Sequence, residues 1–376
     1  MADPAGKGTK RVVVCGGGAI GVAIAYFLSR RGAKPIVIER HAVGGAASGK
    51  SGGFLALDWC RGTPLDRLAR RSFGLHAELA ETLGNPWGYR RLTTYAGHAA
   101  ENARTPGGRR QPWLSDAVTI TGQIGSPRTT AIVEPQAFTT GLMRAAQAED
   151  AELREGAVVD LVRRAGVVCG VVLESGETVD ADAVVIAMGP WSILATRWLP
   201  LPAVYGYKGH SLVFRTGDAV PAEALFLEYQ EAGGEVLTPE IFARANGTVW
   251  ACAISSTGPL PVDPGQVAPD DGAHARLETL CRSLSPALAE APIVARQACF
   301  RPVAEDGLPL IGPVPGVDGA YIASGHNVWG MLNAPATGEA MAELILDGAA
   351  GHVDLAAFEP GRLRKFDPAR LRTATG

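Results

Sequence analysis

Gly16-Gly17-Gly18-Ala19-Ile20-Gly21 has the spacing G-x-G-x-x-G, behind the strand-like run Arg11–Cys15 and ahead of a helix-like apolar stretch. The three spaced glycines serve different ends. Gly16 permits a tight turn, Gly18 lets a pyrophosphate approach the backbone, and Gly21 lets helix and strand pack closely. The helix start, through Gly18, Ala19 and Ile20, then offers N–H groups and the positive end of its dipole to phosphates. Glu39 closes the next strand-like run, placed to accept hydrogen bonds from the ribose hydroxyls of an adenosine. In this context the motif predicts a dinucleotide site, whereas a glycine-rich turn alone would not. Arg40 follows, and then a second glycine-rich stretch, Gly44–Gly53, containing Ser48, Lys50, Ser51 and Gly52. Such a stretch lets backbone run alongside an extended ligand, and its hydroxyls and N–H groups supply hydrogen bonds. The alternative is a flexible surface loop.

The elements that must hold these residues are legible in outline. Arg11–Cys15, Ala19–Arg31 and Pro35–Glu39 read as strand, helix and strand, the βαβ unit of a nucleotide-binding fold. Thr63–Gly84 reads as an amphipathic helix capped by Thr63, and Glu134-Pro135 opens another. Ala157–Val162, Val167–Glu174 and Thr178–Ala187, joined by tight turns, predict a β-meander. Val158 and Val159 at its start, and Gly189 and Trp191 just past its end, are candidate cofactor contacts. A final helix is expected from about Pro335 to Leu346. The fold class predicted is α/β: a Rossmann-like domain with a β-meander, joined to a mixed α+β domain built on an antiparallel sheet. The first takes residues 1–84, 131–199 and 299–376, and the second takes 85–130 and 200–298.

Composition narrows the function classes. The net charge is −3, with acids and bases mixed along the chain and no basic block of the kind nucleic acid or a membrane surface would require. The apolar run Val12–Leu28 is interrupted by three glycines and predicts no membrane span. The polar start lacks a signal-peptide pattern. Six scattered cysteines form no C-x-x-C pair, so no metal site is expected and the thiols fit a reduced, cytoplasmic protein.

Taken together, GGGAIG, Glu39-Arg40, GAASGKSGG, the Glu134-Pro135 helix and AMGPWS resemble the D-amino-acid-oxidase family of FAD enzymes, in its glycine and sarcosine oxidase branch. Cys299-Phe300-Arg301-Pro302, Asp306–Gly312 and Gly325-His326-Asn327-Val328-Trp329-Gly330 follow in the family's order. The resemblance implies FAD as cofactor, with Gly325, His326, Gly330 and Met331 lining it. It also implies hydride transfer from a carbon bearing nitrogen, in a small amine or amino acid, to flavin N5, with O2 or another electron acceptor. It points to Arg301 for a substrate carboxylate, since Arg presents a bidentate fork. Lys50 or Lys208 is implied as a lysine assisting oxygen. Cys299, seven residues before Asp306, is implied as a candidate for covalent attachment to the flavin ring. The chain departs from the pattern at Glu240, where relatives often carry a basic residue; Glu240 is therefore a candidate partner for a cationic part of the substrate. Two other readings stay open: an NAD(P)-dependent dehydrogenase with a similar first motif, and a flavoprotein with an assembly or regulatory role and little turnover.

Overall fold

The structure, a computed structural model, describes residues 9–101 and 111–371. The polar start with Lys7, residues 102–110 and the Thr-Ala-Thr-Gly end lie outside the described residues. At the centre stands a six-stranded sheet in the order 310–313, 320–324, 183–186, 11–15, 34–39 and 152–155. All neighbours are parallel except the edge strand Leu310–Pro313, which pairs antiparallel with Ala320–Ser324. The first strand is Val-Val-Val-Cys after Arg11, buried throughout, as a parallel strand covered on both faces must be. Val12 and Val14 pack with the helices Ala19–Ser29, Pro135–Ala148 and Gly330–Asp347, whereas Val13 and Cys15 pack toward the meander through Leu161, Val168 and Val171.

The meander consists of Val158–Arg164, Val167–Leu173 and Thr178–Asp180, all antiparallel. The expected third strand, Thr178–Ala187, is two elements. The Ala181 N–H donates to Cys169 O, and the next N–H, of Asp182, donates to Arg11 O. The chain thus leaves the meander between these residues, and Ala183–Ile186 enters the parallel sheet.

Three helix starts show how local chemistry sets a boundary. The helix predicted from Thr63 starts at Asp66, because the Thr63 hydroxyl donates to Cys60 O and closes a preceding turn. Glu134 does cap its helix, accepting from the N–H groups of Gln136 and Ala137. The last helix begins at Gly330, five residues before Pro335. A proline here has no N–H for the Met331 carbonyl. His76 Nε2 supplies the missing hydrogen, 3.0 Å from Met331 O and 3.2 Å from Leu332 O, and Ser72 Oγ accepts the Ala336 N–H. The buried His76 is accordingly neutral, its pKa pushed down to about 4 by desolvation.

A second, larger sheet runs in the order 293–304, 204–215, 248–256, 240–243, 223–230, 93–100 and 118–125, with Val236–Leu237 appended to 223–230. It is antiparallel except between Glu223–Gln230 and Thr93–Ala100, which run parallel. Helix Ala273–Leu284 covers one face through Leu277, Leu280 and Leu284, against Leu212 and Phe214. Strand Ile293–Ala304 runs unbroken through positions 298 and 299, where a domain boundary was expected. Residues 85–92 also stand apart from this sheet. Trp87 is buried against Phe138, and Arg90–Arg91 joins Phe54–Ala56 and Thr130–Ile132 in a small sheet.

Candidate active site

An elongated cavity lies between the C-terminal ends of the parallel strands and the uncovered face of the large sheet. Strand ends of an α/β sheet are where such folds bind ligands, because the loops diverge there. At one end the first glycines form a bare cradle. Gly16 has φ +112°, and a Cβ on it would lie 2.5 Å from Ala187 O. A Cβ on Gly21 would lie 2.0 Å from Gly16 O, so Gly21 serves helix–strand contact and does not line the cavity. Gly18, Ala19 and Ile20 do line it. The Ala19 N–H donates to Ser48 Oγ at 2.9 Å, tying the two glycine-rich stretches together. Glu39 is held at its strand end by the N–H groups of Gly17 (2.7 Å) and His41 (2.9 Å), which leaves further lone pairs for a ligand hydroxyl.

Ser48, Lys50, Ser51 and Gly52 line the middle of the cavity. A Cβ on Gly52 would press into the Phe242 ring at 2.6 Å. Val158, Gly189 and Trp191 also line it, but Val159 does not: on a strand its side chain points the other way, to solvent. Arg40 and Trp191 have a role that the sequence does not suggest. Arg40 Nη1 donates to Val262 O (2.9 Å) and Trp191 Nε1 to Pro261 O (2.7 Å). They hold the connection after strand Thr248–Ser256 across the cavity, where Val262 and Pro264 line it.

At the other end stand His326, Gly330 and Met331, with Gly325 just behind the lining. His326 Nε2 pairs with Thr337 Oγ1 at 3.1 Å, while its buried Nδ1 has no hydrogen-bond partner among the described residues. Desolvation pushes its pKa down to about 3, so the ring is neutral.

Opposite is the sheet face. Glu240 stands beside Phe226 and Cys252 in register, and Cys252 beside Ser211. Cys299 pairs with Gly209, and Arg301 lies two residues further along the same strand and face. Arg301 Nη2 donates to Ser255 Oγ and its guanidinium lies over Tyr207; among the described residues no carboxylate is within ion-pair distance of it. Lys208 projects from the opposite side of its strand from Gly209. Its Nζ is 2.6 Å from Asp270 Oδ1, outside the cavity lining. Of the two lysines considered for oxygen chemistry, only Lys50 lines the cavity, and it donates to Ala298 O.

Sequence reasoning missed an aromatic wall: Phe54, Trp59, Phe226, Phe242, Trp250 and Trp329. Alternation along Glu240–Ala243 and Thr248–Ser256 could have paired Phe242 and Trp250 with Glu240 and Cys252. Trp59 sits in a turn and Trp329 in the short 3-10 helix Asn327–Trp329, and neither carried such a signal.

The sequence pattern of the DAO family, described as FAD dependent oxidoreductase, matches residues 11–344. The chain belongs to this family. It is an FAD-dependent oxidoreductase with α/β architecture and an added, mostly antiparallel sheet, and the NAD(P) reading falls. The chain is similar to a glycine oxidase of Pseudomonas aeruginosa, 28% identical over 94% of this chain and 100% of that protein. It is likewise similar to a glycine oxidase of Pseudomonas putida, at 29% over 94% and 100%. The solved glycine oxidase from Geobacillus kaustophilus superposes with a TM-score of 0.77 at 26% identity, covering 94% of this chain and 100% of that one. Among the described residues no helix is long and apolar enough to cross a membrane, and no cluster of side chains could hold a metal.

This oxidoreductase has a cavity that fits its cofactor: the side-chain-free cradle at Gly16–Gly18 suits a pyrophosphate. For Cys299 the expected outcome is noncovalent flavin. Burial raises its thiol above the ordinary range, against the opposing pull of Lys50 and Arg301. Attack on the flavin ring would need the thiolate. Acid precipitation should release all yellow colour into the supernatant; colour kept in the pellet and lost in Cys299→Ser would overturn this.

Proposed function

We propose that this FAD-dependent oxidoreductase oxidises the C–N bond of a small amine or amino acid. The parallel sheet carries the cofactor and the large sheet the substrate. Bound FAD supplies the hydride acceptor. Gly16, Gly18, Ala19 and Ile20 receive the pyrophosphate, Glu39 the adenosine ribose, and Ser48, Ser51, Gly52, His326 and Met331 the rest of the cofactor. The observation that carries the reading is Arg301, a guanidinium without a carboxylate partner among the described residues, facing the same cavity as the cofactor stretches. A charge left this way suits a substrate carboxylate, which would bring its α-carbon into the cavity. The aromatic wall excludes water from the reacting centre. Relatives named as glycine oxidases support the amino-acid class. The free thiols support a cytoplasmic location.

The purified protein should be yellow, with about one FAD per chain, since the fold offers one dinucleotide crevice. Under anaerobic conditions, a panel of amino acids and simple amines should include at least one that bleaches the flavin. A panel with no bleaching member, on fully loaded enzyme, would reject C–N oxidation. Reoxidation by air or only by an artificial dye then assigns the electron acceptor.

A further inference from the structure

Glu240 and Arg301 are charges of opposite sign on one cavity face, and neither has an ion-pair partner among the described residues. Besides Glu39, which is tied to two backbone N–H groups at the nucleotide end, Glu240 is the one acid in the cavity lining among the described residues. The single hydrogen-bond partner of its side chain among them is the Cys252 thiol, at 3.7 Å. Burial raises the Glu240 carboxyl above its usual range, with Arg301 opposing. A carboxylate so placed is costly unless a cation docks beside it.

What surrounds Glu240 says which cation. Phe226 is its direct cross-strand neighbour, Phe242 lies two residues along on the same face, and Trp59 packs on Phe226 with ring centroids 4.9 Å apart. Trp329 continues this wall from Trp59. Aromatic faces beside a carboxylate attract a cation through ring quadrupole and charge together, and they accommodate methylenes leading to it. An α-ammonium next to its own carboxylate would need no such apolar wall. Two strands also separate the strand of Glu240 from that of Arg301.

We propose that the preferred substrate is an amino acid with a cationic side chain, an ammonium or guanidinium on a short methylene stem, whose far end is held by Glu240 while Arg301 takes the carboxylate. This rests on the C–N oxidation reading, and the test separates the two. For the loaded enzyme, kcat/KM is measured on matched pairs in both enantiomers, lysine against norleucine and ornithine against norvaline. The wild type should favour the cationic member at least about tenfold, the size of one charge-assisted contact. Glu240→Gln should bring that ratio to about one. A wild-type ratio near one, or an unchanged ratio in the variant, would overturn the inference while leaving amino-acid oxidation standing. If no amino acid is oxidised, 1,5-diaminopentane is titrated against the flavin absorbance. A perturbation lost in Glu240→Gln keeps the cation site and rejects the oxidation reading; no perturbation in the wild type rejects the cation site as well.

Discussion

Gly18→Val is expected to yield a folded, colourless protein. Gly18 has φ −76° and ψ 174°, backbone angles any residue adopts, so a side chain costs no backbone strain. A Cβ there would lie 3.1 Å from Ser48 Oγ, which holds the first helix to the second glycine-rich stretch. The two valine methyls must then occupy the bare cradle that faces the cavity. Overpacking of this kind costs about 3 kcal/mol at the upper end of its usual range, roughly 150-fold in FAD affinity when the ligand itself is the displaced party. Circular dichroism should match wild type while the visible flavin spectrum is lost. The contrast is Gly16→Ala, where φ is +112° and the Cβ would strike Ala187 O at 2.5 Å. That variant should lose stability as well as cofactor. Full FAD occupancy in Gly18→Val would sink the assignment of this cradle to the pyrophosphate.

The same glycines explain why the cofactor half was readable. Gly16, Gly18 and Gly21 act through backbone, within one strand–turn–helix, so spacing along the chain is also spacing in space. Glu39 is fixed by the register of two adjacent parallel strands. The substrate half depends on pairings between distant segments. Whether Lys208 or Gly209 faces the cavity is decided by strand orientation, and a shift of one residue exchanges them. Phe54, Trp59, Phe226, Phe242, Trp250 and Trp329 come from six separate segments, so the local alternation that marks Phe242 and Trp250 does not announce the whole wall. The start of the last helix was hidden for another reason. Pro335 reads locally as a beginning, but His76 and Ser72, more than 250 residues earlier, satisfy the groups it leaves unpaired. Arg40, expected at the cofactor from its position after Glu39, lines the cavity, and its contact with Val262 O, 222 residues along the chain, was not legible in the sequence.

Arg301→Ala should leave the flavin in place and weaken the substrate. Arg301 Nη2 leans on Ser255 Oγ and its guanidinium carbon on the Tyr207 ring, so the guanidinium is held in one direction without an ion-pair partner among the described residues. Gly209 keeps that direction open: a Cβ there would stand 3.2 Å from Arg301 Nη2. A preorganised fork of this kind loses little entropy on binding a carboxylate, and two charge-assisted hydrogen bonds are worth about 3 kcal/mol in a partly dry cavity. The alanine variant should therefore lose roughly 150-fold in kcat/KM, mostly through KM, because the carboxylate is bound alike in ground and transition states. Arg301→Lys keeps the charge and loses the fork and the ring contact; a loss of roughly tenfold is expected, between wild type and alanine. The visible spectrum and FAD content should stay at wild-type values in both variants. The series also separates recognition from chemistry. If kcat fell with KM unchanged, Arg301 would act on the transition state alone. If alanine and wild type bleached alike with the same substrate, the carboxylate would bind elsewhere, and the wall around Glu240 would remain the one built feature of the substrate half.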